Sequence, residues 1–208
     1  MLFKKKEKDE APIDRELIET FVQAYKPGND LKKPDKKLLK LVEDILPPEI
    51  LYLWENYGFG DYGDGLLKVI DPRDYWDNLA AWLGRKDMTR VPIMMTAFGD
   101  LFYYRKLEQG EHDIALLDIH FRKTTVCAWS LPIFLKGYLQ DKDIRHDILR
   151  DDIFADAVQK LGALRHNEIF FFVPALCLGG FEDIKHVGKG DAEVHQVLLL
   201  QLGKKNSQ

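Results

Sequence analysis

The stretch from Val91 to Trp129 constrains the fold most. It runs VPIMMTAFGDLFYYRK, then the polar patch LEQGEH, then DIALLDIHFRKTTVCAW. Short runs dense in β-branched and aromatic residues, broken at Gly-Asp, Gln-Gly and Arg-Lys, are the pattern of an antiparallel meander. Ile93, Met94 and Met95 are continuously apolar and predict a strand covered on both faces. Ile114, Leu116, Ile119 and Phe121 lie among charges and predict strands covered on one.

Amphipathic helices flank this sheet. Leu17, Ile18, Phe21, Val22 and Tyr25 share one helical face over 13–25, with Asp14 and Glu16 at its start and Pro27-Gly28 beyond its end. A second helix is predicted over Leu38–Leu46. A third opens at Pro48 and presents Ile50, Leu51, Leu53, Trp54 and Tyr57. Next comes YGFGDYGDG, with four glycines in nine residues, which predicts tight turns. Gly58, Gly60 and Gly63 match GxGxxG, but the loop follows a helix and precedes a strand, the reverse of the dinucleotide-binding order. It also lacks the Lys and Ser/Thr of a phosphate loop.

Leu66–Ile70 then reads as a strand and Arg73–Leu83 as a helix. Beyond the meander we expect a helix over Leu131–Tyr138, the charged link QDKDIRHD, a helix over Ile148–Leu161 and a strand in EIFFFVPALCL that Pro174 terminates or confines to an edge. A short strand over Asp183–Val187 and a closing helix over Ala192–Leu202 complete the chain. The reading is an α+β fold: a central, mostly antiparallel sheet covered by helices, in one domain or two sub-domains. The divisions are a charged lead-in at 1–12, a first part at 13–138 and a second at 139–208, with the boundary in the charge-dense stretch 139–152.

At 46% hydrophobic and 31% charged residues, the composition is that of a globular protein with enough chain, 208 residues, to bury a core. No apolar run approaches the roughly 20 residues that span a bilayer. The lysines of MLFKKKEKDEAP are followed by no apolar segment, so a cytoplasmic protein is expected. Cys127 and Cys177 read as free thiols. Net charge is −4, unevenly spread: residues 41–80 hold only Lys68 and Arg73 against nine acidic residues. Such a block repels nucleic acid and attracts basic protein surfaces.

Catalytic chemistry finds little support. Asp74 and Asp77 share a helix face and, with Asp61, Asp64 and Asp71, form the one carboxylate group that a metal-assisted hydrolase would use. Helix capping and turn formation account for the same residues and are preferred. The six histidines show no HExxH, HxH or Cys-paired spacing, and GxSxG is absent. Asp118 and His120 alternate onto one strand face, read as a structural contact. Cys127 lies in TTVCAW, too apolar for an activated thiol. Lysines at 4–8 and 32–40 are segregated from the aromatics, which argues against nucleic-acid binding. No cofactor or metal is expected.

Three segments resemble bacterial immunity proteins of the Tdi type, in which a GAD-like domain precedes a second domain. They are LPPEILYLWENYGFGDYGDGLLKVIDPRDY, TAFGDLFYY at Thr96–Tyr104 and LGALRHNEIFFFVPALCLGG at Leu161–Gly180. The likeness spans about residues 13–202, and LPPEILYLWENYG is also similar to the start of the SUKH group of immunity proteins. The resemblance implies a cytoplasmic antidote, not an enzyme. Its partner would be a toxin encoded by an adjacent gene and delivered by a contact-dependent system such as type VI secretion, typically a basic nuclease. An RNA-associated module, by analogy with the GAD insertion of aminoacyl-tRNA machinery, is the other reading of the same domain. For an antidote, the acidic segment 55–77 is the candidate toxin-binding face: Asp61, Asp64, Asp74 and Asp77, with Tyr62 and Trp76 as anchors, although Trp76 suits the core equally. QDKDIRHDILRDD at 140–152 is a second exposed candidate.

Overall fold

The structure, a computed structural model, describes residues 12–205; the expected lead-in lies outside them except for its last residue. Three helices open the fold: α1 (Arg15–Ala24), α2 (Lys36–Val42) and α3 (Pro48–Asn56). Asp14 and Asp35 cap the first two by accepting hydrogen bonds from the Leu17 and Leu38 amides at 3.0 and 2.8 Å. Two short strands, β1 (Gly60–Tyr62) and β2 (Leu67–Val69), precede α4 (Pro72–Leu83), which Asp71 caps and Pro72 opens. The meander follows as β3 (Arg90–Thr96), β4 (Leu101–Lys106), β5 (His112–Asp118) and β6 (Lys123–Ala128). All six strands form one antiparallel sheet in chain order.

Alternate residues send their side chains to opposite faces, and both faces are buried. Met94, Phe102 and Leu116 join the larger core under α1 and α3, whereas Met95, Tyr103 and Leu117 join a second core with Tyr75 and Leu79 of α4. β5 is therefore covered on both sides, contrary to the one-sided strand its charges predicted. Asp113 is buried there because Arg105 donates to both of its oxygens, at 2.6 and 2.5 Å. The open strand is β6 at the sheet's edge, where Lys123 to Val126 are exposed on both faces.

The rest of the chain is α5 (Lys142–Asp147), α6 (Asp151–Leu161), the antiparallel pair β7 (Glu168–Phe172) and β8 (Val187–Asp191), and α7 (Ala192–Lys205). Three expectations change here. The helix expected over Leu131–Tyr138 is a π-helical turn, Ile133–Gly137, which brings both Phe134 and Tyr138 against Phe102 at 5.1 and 6.1 Å. The expected link contains α5, capped by Asp141. The short strand of the 180s starts at Val187, after a 3-10 turn at Ile184–His186.

The second half docks on the turn TAFGD between β3 and β4. Phe98 stacks on Phe172 at 5.4 Å and tilts against Phe170 at 6.0 Å; the Phe170 amide donates to the Ala97 carbonyl at 2.8 Å, and Gln196 Nε2 to that of Gly99 at 2.8 Å. Two of the segments that carried the family resemblance thus meet face to face. Leu139, Leu149, Phe154 and Phe170 belong to the same core cluster as α1 and the sheet. Gly99 has φ +91°, and a Cβ there would stand 2.7 Å from Ile169 Cδ1 and 3.0 Å from Ile119 Cδ1. Gly99→Ala is expected to cost about 2 kcal/mol through backbone strain and overpacking, read as a lower urea midpoint with an unchanged m-value.

Candidate functional site

A cavity of about 420 Å³ opens where the two halves meet. β2 supplies its floor through Lys68, Val69 and Ile70, and the start of α4 supplies one wall through Asp71, Arg73, Asp74 and Tyr75. Lys32 and Lys33 come from the loop between α1 and α2, and His166, Asn167, Asp191 and Glu193 from the second half. No serine, threonine or cysteine lines it, and the one side-chain hydroxyl it offers is the Tyr75 phenol.

Three of its charges, Lys68, Asp71 and Arg73, are held in ion pairs. Lys68 is 2% exposed, and its Nζ donates to Asp61 Oδ1 at 2.6 Å and to the Arg165 carbonyl at 3.1 Å. Arg73 forks onto Asp71, with Nη2 at 2.6 Å from Oδ2, and reaches Asp35 with Nη1 at 2.6 Å. The Arg73 contact holds the Asp35 carboxyl below its ordinary range. Partial burial, and after it the Asp71 carboxylate, raises Asp74, while burial with Lys32 and Lys68 nearby lowers the His166 imidazole. Burial pushes the Tyr75 phenol up, and the carboxylates of Asp74, Asp191 and Glu193 push it further.

The six residues proposed from sequence are dispersed. Asp61 reaches the cleft through its ion pair with Lys68, and Asp74 lines it. Asp64 is exposed on a turn at φ +58°, and Asp77 is 89% exposed on α4, 2.9 Å from Lys86 Nζ. Tyr62 and Trp76 are not surface anchors. Tyr62 is fully buried, its hydroxyl donating to the Gly58 carbonyl at 2.8 Å and its ring 5.8 Å from Phe21. Trp76 is 8% exposed, and its Nε1 donates to the Arg90 carbonyl at 2.9 Å.

The aspartates of 61–77 do not gather as metal ligands. Among the described residues, the one group with metal-like spacing is His146, Asp151 and Asp152. Asp151 there is already bound by Arg145 Nε at 3.1 Å, and His146 Nδ1 lies 3.7 Å from Asp152. Asp118 accepts from the His120 and Phe121 amides at 3.0 and 2.8 Å, and His120 Nε2 pairs with the Phe98 carbonyl at 2.9 Å. Asp118 and His120 are thus structural. Sequence reasoning missed the cleft, whose charges stand at 32, 68, 166, 191 and 193. One signal was present: Lys68, a lone cation inside the apolar run LLKVI, has to find a buried partner.

No helix among the described residues is long and apolar enough to cross a membrane. A search of curated proteins finds no match. Among solved structures, the fold is similar to the crystal structure of Atu4351 from Agrobacterium tumefaciens, with a TM-score of 0.68 at 15% identity over 88% of each chain. Residues 16–117 match the GAD-like domain family, and residues 134–203 match the family "T6SS immunity protein Tdi1, C-terminal". The cleft takes residues from both matched regions. The chain therefore belongs with the proteins that join a GAD-like domain to the C-terminal domain of the type VI secretion immunity protein Tdi1.

Proposed function

We propose that this protein is an immunity protein: it binds a toxin delivered by type VI secretion and neutralises it stoichiometrically, by covering the toxin's active site or substrate groove. The observation that carries this reading is the pair of family matches, in order, across most of the described chain. The absence of serine, threonine and cysteine from the cavity's lining and the separate pairing of Asp61, Asp71 and Asp77 favour binding over turnover. We take the toxin to be a nuclease acting in the cytoplasm, basic where it holds phosphate, because residues 41–80 carry nine acidic side chains against two basic ones. Asp64, Asp74 and Asp77 are the surface carboxylates of that block that we assign to the encounter, with Asp61 behind them.

The test is co-expression with the product of the adjacent gene. Growth is expected to recover, and the two proteins to purify together. An adjacent product that is harmless, or that forms no complex, would sink the proposal. Asp64→Lys with Asp77→Lys is expected to slow association about tenfold at low salt and to matter less as salt rises. If this double variant associates as fast as the parent, the encounter surface lies elsewhere, α5 and the start of α6 being the next acidic candidate.

A further inference from the structure

One corner of the cleft keeps chemistry that the ion pairs do not use. Lys68 is committed to Asp61 and the Arg165 carbonyl, and Arg73 to Asp71 and Asp35. Where the start of α4 meets the start of α7, Asp74, Asp191 and Glu193 line the cleft together with Tyr75, and their carboxylates act on its phenol. Asp191 has structural work, accepting from the Val194 amide at 3.0 Å and from Asn167 Nδ2 at 2.8 Å. Asp74 and Glu193 have no hydrogen-bond partner among the described residues.

Tyr75 is the second, independent observation. The residue is 9% exposed, packed in the second core, and it lines the cleft; its hydroxyl has no hydrogen-bond partner among the described residues. A phenol that opens to the cleft keeps its oxygen available as an acceptor for what binds there. With three carboxylates lining the same corner, it fits a donor-rich cation. The cations facing this corner are Lys32, Arg73 and His166; Arg73 is already paired, and His166 is held toward its neutral form.

We propose that the corner formed by Asp74, Tyr75 and Glu193 captures an arginine side chain of the protein partner, an inference that rests on the partner-binding reading above. A guanidinium presents planar, forked donors to two carboxylates at once and offers further N–H groups to the tyrosine oxygen, which an ammonium does less well. The cavity has room for such a side chain with its flanking backbone. The corner also spans both domains, so an arginine seated there touches α4 and α7 together.

The probe is the peptide acetyl-Gly-Arg-Gly-amide, titrated into the full ¹⁵N-labelled chain, with the citrulline peptide as the uncharged isostere. Saturable shifts are expected at the amides of Tyr75, Asn167 and Ala192 with the arginine peptide alone. Asp74→Asn with Glu193→Gln is expected to weaken binding about tenfold or more, while Glu111→Gln, exposed between β4 and β5, leaves it unchanged. Glu193→Gln alone serves if the double variant folds poorly. No saturable shift, equal shifts with citrulline, or an unaffected Glu193→Gln variant overturns the proposal. Growth protection against the adjacent gene's product is read separately. Protection without peptide binding overturns only the arginine corner, and peptide binding without protection overturns only the antidote reading.

Discussion

Arg150→Met is expected to remove about 3–5 kcal/mol of unfolding free energy, the cost of stranding a buried charge. Arg150 is 3% exposed and begins α6 in the left-handed region at φ +53°. Its Nη1 donates to Asp100 Oδ2 at 3.0 Å and to the Ile148 carbonyl at 3.1 Å, and its Nε to Glu182 at 2.9 Å. The guanidinium also lies over the rings of Phe98 and Phe172, at 5.6 and 5.9 Å. Without it, Asp100, 1% exposed and bound only through the Ile119 amide at 2.9 Å, keeps a carboxylate with no counter-charge. Urea unfolding of the variant and of Arg150→Met with Asp100→Asn checks this, and the double variant is expected to recover part of the loss. A single-variant loss below about 1 kcal/mol would show that the charge is relieved by other means.

Acidification is expected to act almost as strongly. His120 is 1% exposed, and burial, with Arg150 nearby, holds its imidazole down at about 4 instead of the ordinary 6.5. The unfolded chain therefore binds a proton through a window in which the folded chain does not. Stability falls as pH drops through that window, by about 3 kcal/mol at pH 4 from His120 alone. Burial likewise holds His195 at about 4 and adds in the same direction. Asp74 and Asp118, both raised by burial, work the other way, since the folded state takes up their protons first. Comparing urea midpoints at about pH 7 and about pH 4.5 for the parent and His120→Gln isolates the histidine. Its pH slope should be shallower in the variant, and equal slopes would refute the assignment.

The fold was readable wherever a segment's own chemistry decides its structure. Asp14 and Asp71 stand at the starts of helices that the periodicity placed there, and the meander pairs in chain order because its turns are short. What failed depended on distant contacts. β5 looked half-covered because its charges gave no hint that Arg105 lies across from Asp113. Tyr62 looked exposed because glycines surround it, yet the positive φ of Gly60 and Gly63 turns the chain inward, with Gly63 set against Tyr25. The cleft was illegible because its charges are separated by up to most of the chain's length and meet only after the halves dock. The acidic segment supplied Asp74 to that cleft, but not as the continuous face its composition suggested.

The docking of Phe170 and Phe172 on the TAFGD turn bears on how such proteins diversify. The loop that receives the aromatics, the aspartate that meets Arg150 and the glycine that admits Ile169 all lie within five consecutive residues of the first domain. Exchanging the C-terminal domain alone would separate that socket from its plug, so a working exchange has to carry both modules. Changes at rims and helix starts, by contrast, would leave the joint intact.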